Sequence, residues 1–376
     1  MGAAENHSES IAEALQRMHP ELDAVREASD APVYLVGGAV RDLLLGRGRA
    51  DIDLVVEGDA ADLAERLGAE VVAHERFATA KLRLDGHELD VASARSESYP
   101  HPGALPVVEP AASLEDDLRR RDFTINAMAI SLDAAPRLID PHGGRADLAA
   151  RRLRVLHPRS FEDDPTRAIR AARYAARFGF EPESETEALL RKADLGTVSA
   201  DRRDAELRRL AAEDRAPRAF GLLGEWGLVE LRVGGEALAE RVGELLGAPP
   251  WEGEAPREDA LLAAALGLVG DEAALVRELP SRPSEAVELA SRSRPVELVL
   301  ARALGAEWLD RYLVEWRGVE LEIDGEDLIV AGIPQGPAVG EGLQVALRRK
   351  LDGEIGGREQ EIEVALEVAR EHDGVA

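Results

Sequence analysis

The stretch YLVGGAVRDLLLGRGRADIDLVV, Tyr34–Val56, holds two features able to do chemistry. Asp51 and Asp53 stand two apart at the head of an apolar run, Ile52–Val56, that reads as a strand. Side chains two apart on a strand project from one face, so these carboxylates would lie side by side. They repel each other unless a cation sits between them. Mg²⁺ is the matching ion, since it takes oxygen ligands and shares its shell with phosphates. Upstream, Gly37-Gly38 joins the run Val33–Val36 to a helix expected over 38–45. Backbone N–H groups at such a start form an anion site, with Gly38 as the candidate contact. Arg41 adds a charged fork for a phosphate, and Asp42 is expected to fix the loop or Arg41 rather than touch substrate. Alone, the glycine pair is a structural turn and Asp-x-Asp a solvated strand end. Their proximity makes them one candidate site. Asp90, in HELDVASAR, is a candidate third carboxylate for the same metals.

Further along, RRRDFTINAMA (Arg119–Ala129) joins a charged head to an apolar tail. Arg121 is a candidate for a triphosphate or ribose contact. Asp122 and Asn126 would hold the local backbone, with Asp122 equally readable as a helix N-cap. In SFEDDPTRAIRAARYAARFGF (Ser160–Phe180), Asp164, Arg167, Arg170 and Arg173 recur every three residues along an expected helix, while Ile169, Tyr174 and Phe178 face the core. An aspartate beside an arginine can read a base. Cytosine and adenine present an amino donor next to a ring-nitrogen acceptor, which a carboxylate and a guanidinium match. Uracil and guanine present a carbonyl and an N–H there and would be rejected through unpaired polar groups. Asp164 before Pro165 is also what a helix cap looks like, so both readings stand.

These residues need a scaffold, and the composition bounds it. A chain of 376 residues, 45% hydrophobic and 32% charged, is long enough for two to four domains or segments. With no Cys, disulfides and thiolate chemistry are excluded. No stretch approaches a membrane span. The opening MGAAENHSES is unlike a signal peptide, which predicts a cytoplasmic protein with no membrane partner. The net charge of −27 argues against unaided, non-specific nucleic-acid binding. Yet Arg119–Arg177 carries 13 Arg against 7 Asp and Glu, a local balance of +6. Such an island steers a polyanion, or is a solvated face of mixed charge.

Residues 8–29 read as one amphipathic helix beside the first domain. From 31 to 150 the pattern alternates: strands at 33–36 and 52–56, a helix at 60–67 with Asp59 and Gly68 as caps, and strands 81–84 and 87–91 around an Asp85-Gly86 turn. That predicts a small α/β or α+β domain with a mixed sheet. After Arg151 helical periodicity dominates, with breaks at 247–256 and 280–283, before a segment of turns and short helices and a C-terminal helix.

GGAVRDLLLG with DIDLVV, RRDFTINAMA, LIDPHGGRADL and EDDPTRAIRAARYAARFGF resemble successive motifs of the class II tRNA nucleotidyltransferase and bacterial poly(A) polymerase family, over about residues 34–180. DGEDLIVAGIPQGPAVGEGL resembles the family's tail segment. The resemblance implies an α/β nucleotidyltransferase head with a mixed sheet, followed by an all-α neck, body and tail. The corresponding divisions are 1–30 (N-terminal helix), 31–150 (head), 151–215 (neck), 216–310 (body) and 311–376 (tail). It implies addition of C and A to tRNA 3′ ends from CTP and ATP without a template. Asp51 and Asp53 would hold two Mg²⁺. Gly38, Arg41 and Arg121 would contact the triphosphate or ribose. Asp164 and Arg167 would read the base, with Arg170 and Arg173 in support.

One departure is DDPTR, where Asp163 replaces a glutamate common in the family; that leaves the base-reading detail open. The segment Ser98–Asp117 occupies the place of a flexible loop linked to A addition, which disfavours a CC-only enzyme. The family also holds A-only enzymes and poly(A) polymerases. A small-molecule nucleotidyltransferase would lack a reason for the long helical part, and a non-catalytic RNA-binding protein would not need both metal aspartates. The island Arg119–Arg177 and the turn Gly332–Gly342 are candidate tRNA surfaces, the latter equally a plain helix–turn–helix connection.

Overall fold

The computed structural model describes residues 10–47, 51–68, 72–74, 79–84, 87–110, 113–267 and 272–372. The N-terminal segment forms two helices, α1 (Ile11–Met18) and α2 (Leu22–Ala28), where the periodicity predicts one. The break falls at His19-Pro20, because proline has no N–H to continue the ladder. Helix α1 opens on a capping box: the Glu13 N–H donates to Ser10 Oγ, and the Ser10 N–H to the Glu13 carboxylate.

Among the described residues the head carries nine strands: β1 (Val33–Val36), β2 (Ile52–Val56), β3 (Val72–His74), β4 (Thr79–Leu84), β5 (His87–Ser93), β6 (Arg95–Ser98), β7 (Val107–Pro110), β8 (Ala129–Ser131) and β9 (Leu138–Ile139). Seven form a sheet in the order β3-β4-β5-β2-β1-β8-β9, with β6 and β7 a separate hairpin. The sheet is mixed, as expected. β2 and β5 run parallel and the other pairs antiparallel. The central strands are apolar and buried, including Val33, Leu35, Ile52, Leu54 and Val56, so register is held by the core. β4 and β5 pair with Leu84 opposite His87; the Asp85-Gly86 turn between them lies outside the described residues.

Helix α3 (Gly38–Leu44) leaves the end of β1, and α4 (Ala60–Arg66) starts where the Ala61 N–H donates to Asp59 at 2.8 Å. Helix α5 (Leu114–Arg119), capped by Ser113, and α6 (Gly144–Ala149) flank β8 and β9 in the chain. The one-turn helix α7 (Ser160–Asp163) and the long α8 (Thr166–Phe178) follow, with Gly179 in the left-handed region at φ +67° as the stop. Ile169, Tyr174 and Phe178 are buried, as the spacing predicts, and Phe123 meets the Tyr174 ring edge-on at 5.9 Å. The all-helical expectation after Arg151 has one exception, a short parallel pair of Arg152–Leu153 with Glu181–Pro182.

The chain divides into two compact units, Met1–Val229 and Glu230–Ala376. The helix Ala216–Glu225, which the sequence reading assigns to the body, lies in the first unit. Its fully buried Ala216, Ala219 and Phe220 lie against α8, and small alanines let helices approach closely. The second unit is helical. Its breaks at 247–256 and 280–283 fall where expected, between Gly235–Leu246 and Arg257–Leu266, and before Pro283–Ser291. Trp251 is buried there, its Nε1 donating to Asp310 at 2.7 Å. In the tail segment, Gly325–Val330 and Pro337–Leu351 are joined through Gly332, whose φ of +97° suits glycine. Leu328, Ala338, Ala346 and Ala365 pack beneath them. Among the described residues no helix is long and apolar enough to cross a membrane.

Candidate active site

Because β1 and β2 are antiparallel with Leu35 opposite Leu54, the end of β1 lies beside the start of β2. Gly37 and Asp53 therefore become neighbours. A Cβ on Gly37 would stand 3.7 Å from Asp53 Oδ2 and 2.8 Å from Arg121 Nη1, and the Gly37 φ of +70° already favours glycine. Gly37 is thus the close-approach position. The Gly38 Cβ position is 3.4 Å from Arg41 Nη2. Asp51 immediately precedes β2 and is exposed, whereas Asp53 is half-buried. Burial pushes the Asp53 carboxyl above its usual range. The Asp90 and Asp51 carboxylates push the same way, against Arg121 and Arg41.

Asp51, Asp53, Gly38, Arg41, Arg121, Asp164, Arg167, Arg170 and Arg173 all line one cleft of about 840 Å³. Asp90 does not. It sits opposite Asp53 in the parallel register, but its carboxylate faces Lys81 at 3.5 Å, and the described residues contain no group of three metal-ligating side chains.

Arg121 is aimed by a buried partner. Its Nε and Nη2 donate to Asp117 Oδ2 at 3.2 and 2.9 Å, and Arg120 donates to the same carboxylate at 2.7 Å. Burial alone would raise the Asp117 pKa; the two guanidiniums outweigh it and hold it below the usual range. Arg41, only 4% exposed, has much of its fork occupied. It donates to both oxygens of Asp42, at 2.9 and 3.1 Å, and to Asn126 Oδ1 at 2.7 Å, and lies over the Phe178 ring at 4.6 Å. Asp42 does fix Arg41. The structure makes Arg41 a wall of the cleft more than a free phosphate fork.

Asp122 accepts from the Phe123 N–H, from Asn126 Nδ2 at 2.9 Å and from Arg170 Nε at 3.1 Å. It therefore holds the local backbone rather than capping a helix. Arg170 also donates to Thr166 Oγ1 and to Asp164 Oδ2, at 3.0 and 3.1 Å. A hydrogen-bonded chain thus runs from Arg41 through Asn126, Asp122 and Arg170 to Asp164.

Asp164 makes the cap contacts that one of its two sequence readings describes, and it lines the cleft as the other requires. Its Oδ1 accepts from the Thr166 N–H and Oγ1, at 3.1 and 2.6 Å, starting α8. Arg202 Nη2 reaches the same oxygen at 3.1 Å. Burial opposes the charged carboxyl, but Arg170, Thr166 and Arg167 together hold its pKa below the usual range. Oδ2 takes only Arg170, so of the two oxygens it has an acceptor direction left for a base. Arg167 is 2% exposed, with Nη1 on Ser160 Oγ at 2.9 Å and Nη2 on the Arg120 carbonyl at 2.7 Å. Its Nε has no partner, and no carboxylate among the described residues lies within ion-pair distance. A buried guanidinium without a contacting carboxylate is costly to fold, and this one lines the cleft. Asp163 pairs with Arg159 at 3.1 Å and does not line the cleft, so the departure in DDPTR sits away from the candidate base contacts.

The comparisons with known proteins follow this geometry. The poly A polymerase head domain model matches residues 33–154. The CC-adding tRNA nucleotidyltransferase of Deinococcus radiodurans is 37% identical over 354 residues, covering 89% of this chain and 89% of that protein. The chain belongs to the tRNA nucleotidyltransferase family. The CCA-adding enzyme of Geobacillus stearothermophilus is 32% identical over 88% of this nucleotidyltransferase and 91% of that enzyme. The A-adding tRNA nucleotidyltransferase of Aquifex aeolicus is 45% identical over 219 residues, 56% of this chain, but the match spans only 26% of that protein. Among solved structures, an apo form of a CCA-adding enzyme superposes with a TM-score of 0.83 at 30% identity, over 95% of this chain and 98% of that one. The Thermotoga maritima CCA-adding enzyme, solved in complex with tRNA, gives 0.75 at 30% identity, over 96% of each.

Several residues of this nucleotidyltransferase site escape sequence reasoning. Arg202 and Glu206 act through contacts remote in sequence, whereas Asp117 and Ser160 reach Arg121 and Arg167 from only four and seven residues away. The basic island is also largely neutralised by such contacts. Arg120 meets Glu97, Arg170 and Arg173 meet Glu206, and Arg173 and Arg177 meet Glu213. Glu97, Glu206 and Glu213 all lie outside the counted window. Much of Ser98–Asp117 is ordered too, since β7 pairs with β6 and α5 follows.

Proposed function

We propose that this nucleotidyltransferase adds C and A to tRNA 3′ ends from CTP and ATP, without a nucleic-acid template. The observation that carries the reading is the shared cleft: Asp51 and Asp53 open onto the same space as Asp164 and Arg167. Relatives that add CC, A or CCA, and the likeness to a CCA-adding enzyme solved with tRNA, support it.

The donor set fits a hard divalent cation. It offers oxygen only, and the raised Asp53 carboxyl, crowded by Asp51 and Asp90, is what a cation would relieve. Asp51 and Asp53 would hold two Mg²⁺, whose chemistry is to lower the pKa of an attacking hydroxyl and to neutralise charge on a departing pyrophosphate. The tRNA 3′-hydroxyl attacks the α-phosphate of the bound triphosphate, forming the new phosphodiester and releasing pyrophosphate. This chain's share is positioning and charge. Arg121, set over Gly37 by Asp117, meets the triphosphate, and the start of α3 at Gly38 receives it. Asp164 Oδ2 accepts from the base amino group and Arg167 donates to the ring nitrogen. Arg170 and Arg173 keep that pair in place.

A narrower reading, an enzyme adding only CC, has one specific support: the 37% identity to a CC-adding enzyme over 89% of both chains. Incubating tRNA that lacks its CCA end with CTP, with ATP and with both separates them. Full CCA with both supports the proposal. CC with both nucleotides supports the narrower reading, and no added nucleotide overturns both.

A further inference from the structure

Arg202 stands behind the base-reading carboxylate rather than in the cleft. It lies on the helix Ala200–Ala211 and does not line the cleft, yet its Nη2 donates to Asp164 Oδ1 at 3.1 Å. Its Nη1 donates to the Gly103 carbonyl at 2.8 Å. Gly103 is fixed in turn: its N–H donates to the Glu162 carbonyl at 3.1 Å, and its φ is +69°. One guanidinium therefore ties a rigid backbone point to one oxygen of Asp164. That oxygen already accepts from the Thr166 N–H and hydroxyl, so three donors converge on Oδ1 while Oδ2 meets only Arg170.

A carboxylate can turn part-way about its Cβ–Cγ bond, which tilts its plane and moves the open lone pair; a full exchange of the two equivalent oxygens changes nothing. The broad, two-fold character of that torsion makes the rotation cheap unless both ends are held. Arg170 and the Thr166 hydroxyl could follow such a turn; the backbone Thr166 N–H, on the α8 side, could not. Arg202, on the opposite side and anchored to a carbonyl, cannot.

Resting on the reading of Asp164 as a base contact, we infer that Arg202 is a positioning residue for nucleotide selection. Together with the Thr166 N–H it pins Oδ1 from two sides, so that the carboxylate plane, and with it the acceptor direction on Oδ2, keeps one orientation toward the base. The side chain touches no nucleotide and acts only through Asp164.

The test compares Arg202→Ala, Arg202→Lys, Asp164→Ala and the double variant. The reading is kcat/KM for CTP and ATP against UTP on the same tRNA, with thermal melting alongside. Arg202→Ala is expected to lower discrimination against UTP about 10-fold while KM for CTP stays near wild type, and Arg202→Lys to restore part of it. Adding Arg202→Ala to Asp164→Ala is expected to change selection no further, since coupled residues are non-additive. If Asp164→Ala loses discrimination but Arg202→Ala keeps it, or Arg202→Ala slows all nucleotides alike, the role of Arg202 is overturned. If Asp164→Ala itself keeps wild-type discrimination, the base-contact reading falls instead.

Discussion

Arg170 Nε and Asp122 Oδ2 meet at 3.1 Å, and this contact joins the two halves of the cleft. On one side Asp122 holds Asn126, which accepts from Arg41 beside the glycine turn. On the other, Arg170 holds Asp164 at the start of α8. The glycine turn and the start of α8 are thus joined by a continuous polar chain. Burial works against the charged form of Asp122, yet Arg170, Asn126 and Arg167 keep its carboxyl below the usual range.

Asp122 should therefore show in the acid stability of the protein. Its pKa is depressed in the folded state, so its contribution is full above the ordinary aspartate value of 3.8 and is lost as pH falls through the lower folded value. Asp122→Asn is expected to destabilise by about 1–3 kcal/mol near neutral pH. That difference from wild type should shrink as pH drops below the ordinary value. Urea melts across pH check it, and a gap that is constant with pH would contradict the assignment.

Asp53→Asn separates chemistry from stability. Losing one of the two carboxylates is expected to cut nucleotide addition by about a thousandfold or more. The melting temperature should hold or rise, because a carboxylate that burial disfavours has become neutral. An active Asp53→Asn enzyme would remove the metal assignment.

Gly37→Ala tests the close approach. A backbone at φ +70° and ψ −131° lies outside the left-handed helical well and costs a non-glycine residue about 1–3 kcal/mol. The new methyl would also press on Arg121 Nη1, the movable end of a side chain whose other nitrogens are tied to Asp117. The expected result is a loss of stability of that order together with a rise of about 10-fold in KM for the triphosphate. Steady-state kinetics and melting on one preparation check both.

Arg167→Met removes a buried guanidinium with no carboxylate partner. The burial cost of the guanidinium is relieved, while its attraction to Asp164 and Asp122 and its bonds to Ser160 and Arg120 are lost, so stability should fall by only about 1 kcal/mol. Discrimination of CTP and ATP from UTP should fall about 10-fold or more. Large destabilisation with unchanged selection would make Arg167 part of the frame.

What the sequence makes legible is local or periodic. Gly37, Arg41, Asp51 and Asp53 lie within one strand–helix–strand unit, so spacing alone brings them together. Asp164 and the arginines after it share one helix. The Asp164–Thr166 cap is legible for the same reason. What stays hidden depends on tertiary pairing. Arg202 reaches Asp164 and Gly103 from a helix whose sequence, ADRRDAELRRLA, reads as a solvated charged face. The basic island looks open in a window count because its partners Glu97, Glu206 and Glu213 lie outside it. Asp90 shows the reverse: register sets it beside Asp53, yet its side chain turns to Lys81. The N-terminal helix divides because one Pro20 outweighs an otherwise continuous amphipathic pattern.

The most direct measurement offers each of the four labelled nucleoside triphosphates, one at a time, to a tRNA lacking its CCA end and to one ending in CC. The expected result is incorporation from CTP on the first and from ATP on the second, with UTP and GTP refused on both. Incorporation from UTP or GTP as readily as from CTP and ATP would contradict a cleft in which Asp164 and Arg167 choose the base.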